Sequence, residues 1–141
     1  MNKSVKLKNQ IIKNDTDKLL FISGPCLLES EKLVRLVAKN LINYTKINNF
    51  NLIFKCSFDK ANRSSDKTIR SKIPLDKSIE ILKNLKKDFN INVTTDVHET
   101  SQIDHLSELV DVFQIPAFLC RQTDLIKAAA QTNKIVNVKK G

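Results

Sequence analysis

No stretch of the 141 residues approaches the roughly 20 consecutive apolar positions needed to cross a bilayer, so no membrane association is expected. The opening MNKSVKLKNQ also lacks the apolar core of a signal peptide. Cysteine is scarce. Cys26, Cys56 and Cys120 are odd in number, widely separated and in no CxxC pair, which argues against a disulfide scaffold or a self-contained zinc finger. A reducing, cytoplasmic setting is the expectation. There are only 2 Gly, and only 4 Arg against 20 Lys, beside 14 Asn and 15 Ile, a mixture that reads as an AT-rich coding bias. The formal charge of +9 invites nucleic acid as a partner. However, Lys32, Lys39, Lys46, Lys77, Lys83 and Lys87 fall on presumed outer helix faces, with no aromatics interleaved for base stacking. They read as a solvated surface, and no nucleic-acid partner is expected.

What is present is an alternation of short apolar runs and helical stripes, in a chain long enough for one domain with a real core. Residues 1–17 form a polar, lysine-rich lead-in or a short barrel-capping strand, with Ile11 and Ile12 its only apolar pair. The run LLFI before Ser23-Gly24-Pro25 is expected to be a parallel strand buried on both faces. Leu33, Val34, Val37, Leu41 and Tyr44 predict a helix capped by Ser30. Further strands are predicted at 50–57, 91–95, 110–115 and 134–138. The helices between them are marked by Leu75, Ile79, Leu82 and Leu85, then by Ile103, Leu106 and Leu109, then by Leu125, Ile126, Ala129 and Ala130. Without a hairpin signal, the sheet should be parallel with right-handed crossovers.

The densest chemistry lies in FKCSFDKANRSS at 54–65, a strand end running into a loop that carries Lys55, Asp59, Lys60, Asn62, Arg63, Ser64 and Ser65. Such a loop suits an anion. Cys26, Lys55, Asp96 with His98, Gln114 and Lys139 all fall at or just past predicted strand C-termini, the face on which parallel α/β folds bind ligands. Taken singly, each has a plainer reading: Cys26 as a small buried hydrophobe, His98 as a strand-end histidine, Arg121 as a surface residue at a helix start. Cys56 and Cys120 read as packing residues, and His105 as a surface or helix-packing one.

Together, ISGPCLLES, FKCSFDKANRSS, TTDVHE, QIPAFLCRQTDL and NVKKG resemble the 3-deoxy-8-phosphooctulonate synthases, in family order and spacing, across most of residues 18–141. The ANRSS segment separates that family from the 3-deoxy-7-phosphoheptulonate synthases, which carry a KPRT-type motif there. The resemblance implies a TIM-type parallel (β/α) barrel, of which this chain holds about five strands and four helices. It implies condensation of phosphoenolpyruvate with D-arabinose 5-phosphate, releasing phosphate, in lipopolysaccharide sugar biosynthesis. By resemblance, Lys55, Lys60, Gln114, the Ala117 amide and Lys139 match phosphoenolpyruvate-binding positions, and Asn62, Arg63 and Ser64 match holders of the arabinose phosphate. Arg121 matches an arginine reaching that phosphate from a neighbouring subunit, which implies a homo-oligomer. Lys60, Asp96 and His98 are the candidate catalytic residues, with orientation the expected role of the last two. Cys26 after Gly-Pro matches the metal-dependent class and would be a ligand to Zn2+, Fe2+ or Mn2+.

A complete eight-unit barrel takes at least about 200 residues. The family's remaining metal ligands and a further phosphate-binding arginine are therefore expected outside this chain, and the 141 residues alone are expected to be inactive. Arg70 to Pro74 replaces the family's usual glycine-rich turn. The alternative reading is a non-catalytic remnant or phosphosugar-binding half barrel. A five-stranded flavodoxin-like sheet fits the strand count without explaining the motifs.

Overall fold

The computed structural model of the chain describes residues 4–8, 10–13, 18–61 and 72–141. Two short strands, β1 (Ser4–Lys6) and β2 (Ile11–Lys13), pair antiparallel. Five more form a parallel sheet: β3 (Leu20–Ser23), β4 (Asn51–Lys55), β5 (Asn92–Asp96), β6 (Val112–Ile115) and β7 (Ile135–Val138). Between them run α1 (Glu31–Ile47), α2 (Leu75–Phe89), α3 (Ser101–Ser107) and α4 (Thr123–Gln131). The spatial order β3-β4-β5-β6-β7 follows the chain, and the sheet curls as half of a TIM-type barrel.

Strand alternation divides the sheet into two faces. Outward, Phe54, Cys56, Val97, Phe113 and Ile115 join Val34, Ala38, Leu82, Leu85, Leu106 and Leu125 of the helices in one buried cluster. Inward, Ile53 and Val112 pack with Leu7 of the hairpin, while Ile12 and Ile135 lean against them. The lead-in is thus a hairpin fastened to the inner wall, a pairing absent from the sequence reading because no turn dipeptide announces it.

Helix ends follow local chemistry. The Ser30 Oγ accepts the Leu33 N–H at 3.3 Å, capping α1. Ser30→Ala should cost about 1 kcal/mol, seen as a lower denaturant midpoint with an unchanged slope; an unmoved midpoint would show that this cap contributes nothing. Asn49, Asn90 and Asn133 hold φ of 55°, 49° and 58° just past α1, α2 and α4. In a chain with 2 Gly, asparagine fills the left-handed position at which glycine usually ends a helix.

One expectation about burial is corrected, and one helix buries less of its apolar pattern than it carries. The LLFI strand is not buried on both faces: β3 is an edge strand, with Leu20 36% and Ile22 42% exposed, because β4 is its only partner among the described strands. In α1, Leu33 and Tyr44 are exposed while Val34, Ala38 and Thr45 face inward, since the buried stripe is narrower than the apolar pattern. No helix among the described residues is long and apolar enough to cross a membrane.

Candidate functional site

Ile53 and Val112 line the lower inner wall; two residues further along each strand, the same direction brings Lys55 and Gln114. Alternation therefore converts an apolar floor into a polar rim at the strand C-termini. The register sets Asp96 beside Gln114 and Lys55 beside Thr94. Above them lies a cavity of about 590 Å³ lined by Gly24, Pro25, Cys26, Lys55, Lys60, Asp96, His98, Gln114, Pro116, Ala117, Phe118 and Lys139. Every described strand of the parallel sheet thus contributes at or beyond its C-terminus.

Backbone pairing carries the sheet past its formal ends and fixes these residues. Cys56 N–H donates to the Thr94 carbonyl (3.2 Å), Val97 N–H to Gln114 (3.1 Å) and Lys139 N–H to Ile115 (3.0 Å). Gly24 allows β3 to approach β4 closely, since a Cβ there would lie 1.9 Å from the Lys55 carbonyl oxygen.

Asp96 is the electrostatic centre. Its Oδ1 lies 2.9 Å from Lys55 Nζ and accepts from Gln114 Nε2 at 2.6 Å. Its Oδ2 accepts from Ser57 Oγ at 3.1 Å and stands 3.5 Å from Lys60 Nζ. Burial alone would raise the Asp96 pKa, but the charges of Lys55 and Lys60 and the hydrogen bonds from Lys55 and Ser57 outweigh it and hold the carboxyl below its ordinary range. Lys55 is pulled the other way, lowered chiefly by burial and partly restored by Asp96. Among the cavity's lining residues, Lys55, Lys60 and Lys139 outnumber the single carboxylate of Asp96, leaving a positive concavity suited to an anion.

His98 lies between two aromatic rings, stacked near Phe118 at 6.4 Å and edge-on to Phe58 at 6.2 Å between centroids. Its Nδ1 is 3.8 Å from Asp59 Oδ2, and its backbone N–H donates to Gln102 Oε1 at 2.8 Å. The imidazole is thus flanked by two rings and a carboxylate. Cys56 is fully buried, and its thiol is pushed up to about 12, mainly by desolvation, which suits a packing residue.

Of the residues singled out from sequence, Cys26, Lys55, Lys60, Asp96, His98, Gln114, Ala117 and Lys139 share the cavity wall. Arg121 is exposed, in the turn before α4, and is not among the lining residues. Asn62, Arg63 and Ser64 lie outside the described residues, as do Ser65, Arg70 and Ser71. Cys26 is exposed, and among the described residues no three His, Cys, Asp or Glu side chains gather as a metal site. Three residues were missed: Gly24, Ser57 and Phe118. Ser57 had a signal, since it follows Lys55 by two places and alternation points both the same way.

The DAHP synthetase I family model matches residues 2–141. A protein of Rickettsia typhi (strain ATCC VR-144 / Wilmington) named 2-dehydro-3-deoxyphosphooctonate aldolase is 50% identical over 141 residues, covering 100% of this chain and 51% of the relative. Proteins of that name from Rickettsia felis and Campylobacter jejuni subsp. doylei are each 48% identical, over 141 and 124 residues, covering 100% and 88% of this chain and 51% and 46% of their own lengths. The chain spans about half the length of the curated relatives it matches.

Proposed function

Because the chain belongs to the DAHP synthetase I family, we propose that it forms the phosphoenolpyruvate-binding half of a 3-deoxy-8-phosphooctulonate synthase, which condenses phosphoenolpyruvate with D-arabinose 5-phosphate. The observation carrying this reading is the gathering of Lys55, Lys60, Gln114, Ala117 and Lys139 around one positive cavity at the strand C-termini.

In the reaction, the enol carbon of phosphoenolpyruvate bonds to the aldehyde carbon, whose oxygen takes up a proton, water adds to the neighbouring carbon, and the bond from that carbon to the phosphate oxygen breaks, its electrons leaving with phosphate. The carboxylate and two phosphates repel one another, so fixed cations in a confined site are what the transition state requires. Lys55 and Lys60, both held at Asp96, face the carboxylate of phosphoenolpyruvate. Gln114, the Ala117 amide and Lys139 take its phosphate, and Asp96 and His98 orient the reacting groups. Asn62, Arg63 and Ser64 belong with the arabinose phosphate, and Arg121, exposed and off the cavity wall, reaches that phosphate from a neighbouring copy in a homo-oligomer. The reaction would be cytoplasmic, in lipopolysaccharide sugar synthesis, without nucleic acid or membrane.

A divalent ion (Zn2+, Fe2+ or Mn2+) would supply Lewis acidity or substrate orientation when bound. Cys26 is a suitable thiolate donor on the cavity wall, but one donor does not hold a catalytic metal, and the described residues do not complete the set. Cys26 is therefore proposed as one ligand among others.

The test is phosphate release from the two substrates with divalent metal present. The 141-residue chain alone should release none, because β3 and β7 each have one partner among the described strands and the barrel is open. Supplying the C-terminal half of the Rickettsia typhi relative should give release that Lys55→Ala abolishes. Release insensitive to Lys55→Ala, or none from the folded two-part assembly, would sink the proposal.

A further inference from the structure

We propose that Ser57 is the positioning residue of this site, setting the separation and direction of the Lys55 and Lys60 ammonium groups. A serine hydroxyl has one proton to give and two lone pairs to offer, whereas an ammonium only donates. Lys60 Nζ donates to Ser57 Oγ at 2.8 Å, and Lys55 Nζ donates to the same oxygen. Both lone pairs are thereby engaged, and the single proton goes to Asp96 Oδ2 at 3.1 Å. The hydroxyl's full hydrogen-bonding capacity is used, in one orientation.

The anchor is also rigid. Ser57 is fully buried, and its carbonyl accepts the Leu28 N–H at 2.9 Å, tying it to the segment that follows Cys26. Lys55 and Lys60 swing on four-carbon stems and repel each other, so neither defines a position by itself. A fixed neutral acceptor between them, polarised by a carboxylate behind it, holds two like charges within reach of one anion. This deepens the proposed function only in naming the anion; the positioning role stands on the hydrogen bonds.

The test compares wild type, Ser57→Ala and Ser57→Thr in the two-part assembly by amine-selective 1H–15N correlation spectra at low temperature. In wild type, the Lys55 and Lys60 ammonium protons should be protected from exchange, as should those of Lys86, which donates to the Leu109 carbonyl and to Asp111 away from the site. Ser57→Ala should lose the Lys60 signal and shift that of Lys55 while leaving Lys86 intact, so that local loss is separated from unfolding. Affinity for phosphoenolpyruvate should fall about tenfold, the scale of one charge-assisted hydrogen bond, and Ser57→Thr should recover both readouts. Unchanged Lys55 and Lys60 signals in Ser57→Ala would overturn the proposal, as would their loss in Ser57→Thr with Lys86 retained. If wild type does not bind phosphoenolpyruvate yet its ammonium signals respond as stated, the proposed function fails and the role of Ser57 stands.

Discussion

Asp96→Asn should lower the stability of the folded chain by about 3 kcal/mol at pH 7, toward the lower end for breaking a buried ion pair because Lys55 keeps some contact with solvent. The substitution preserves shape, so the loss is electrostatic. The carboxylate now meets donors from every side: Lys55, Gln114, Ser57 and Lys60. An amide presents one oxygen where two were used, and whichever way it turns its NH2 faces the ammonium of Lys55 or of Lys60, which can only donate. The Lys55 ammonium, already disfavoured by burial, is left without its counter-charge. The pH dependence gives an independent check. Since the folded-state pKa of Asp96 is depressed, its contribution is fully present above the unfolded value near 3.9 and is lost as pH falls through the folded value. The variant lacks that term, so the wild-type and variant denaturant midpoints should converge in acid. Equal midpoints at pH 7, or a constant gap down to strong acid, would refute the assignment.

Gly24→Ala should be at least as damaging, costing about 3 kcal/mol or more as an overpacking change against backbone. The added Cβ would sit 1.9 Å from the Lys55 carbonyl oxygen and 2.9 Å from its carbonyl carbon. A side chain could rotate away, but a carbonyl in a strand cannot, so β3 must separate from β4 at the level of the cavity. Because Lys55 is the residue being pushed, its contact with Asp96 should loosen as stability falls. Thermal unfolding followed by circular dichroism should move down by about 10 °C or more. A variant melting within a degree or two of wild type would show that the strand ends yield easily.

Most of the parallel unit was legible because its periodicities are local. Ser30 before a helical stripe, and five apolar runs separated by Asn-bearing turns, need no tertiary information. The exposure of β3 was not legible, since LLFI reads the same at an edge and at a centre; what covers a strand is settled by other parts of the chain. The hairpin was hidden for a similar reason: Leu7 is buried only because it reaches Ile53 and Val112, far away in sequence. In the site, Lys55, Asp96, Gln114 and Lys139 could be found because strand ends predict a shared face. Ser57 could not be weighed, because a serine's importance depends on which groups surround its one hydroxyl.

The spatial order of the sheet has a consequence for how the molecule forms. Each new strand of the β3-to-β7 series pairs with the strand just before it in the chain. Among the described strands of this sheet no pairing waits for a distant segment, so it can grow one strand–helix unit at a time as the polypeptide leaves the ribosome. The Lys55–Asp96 contact belongs to the second such step, between β4 and β5, and Gln114 and Lys139 are added in sequence after it. The cation pair is thus in place before the rim around it is finished, making this charged wall an early product of synthesis.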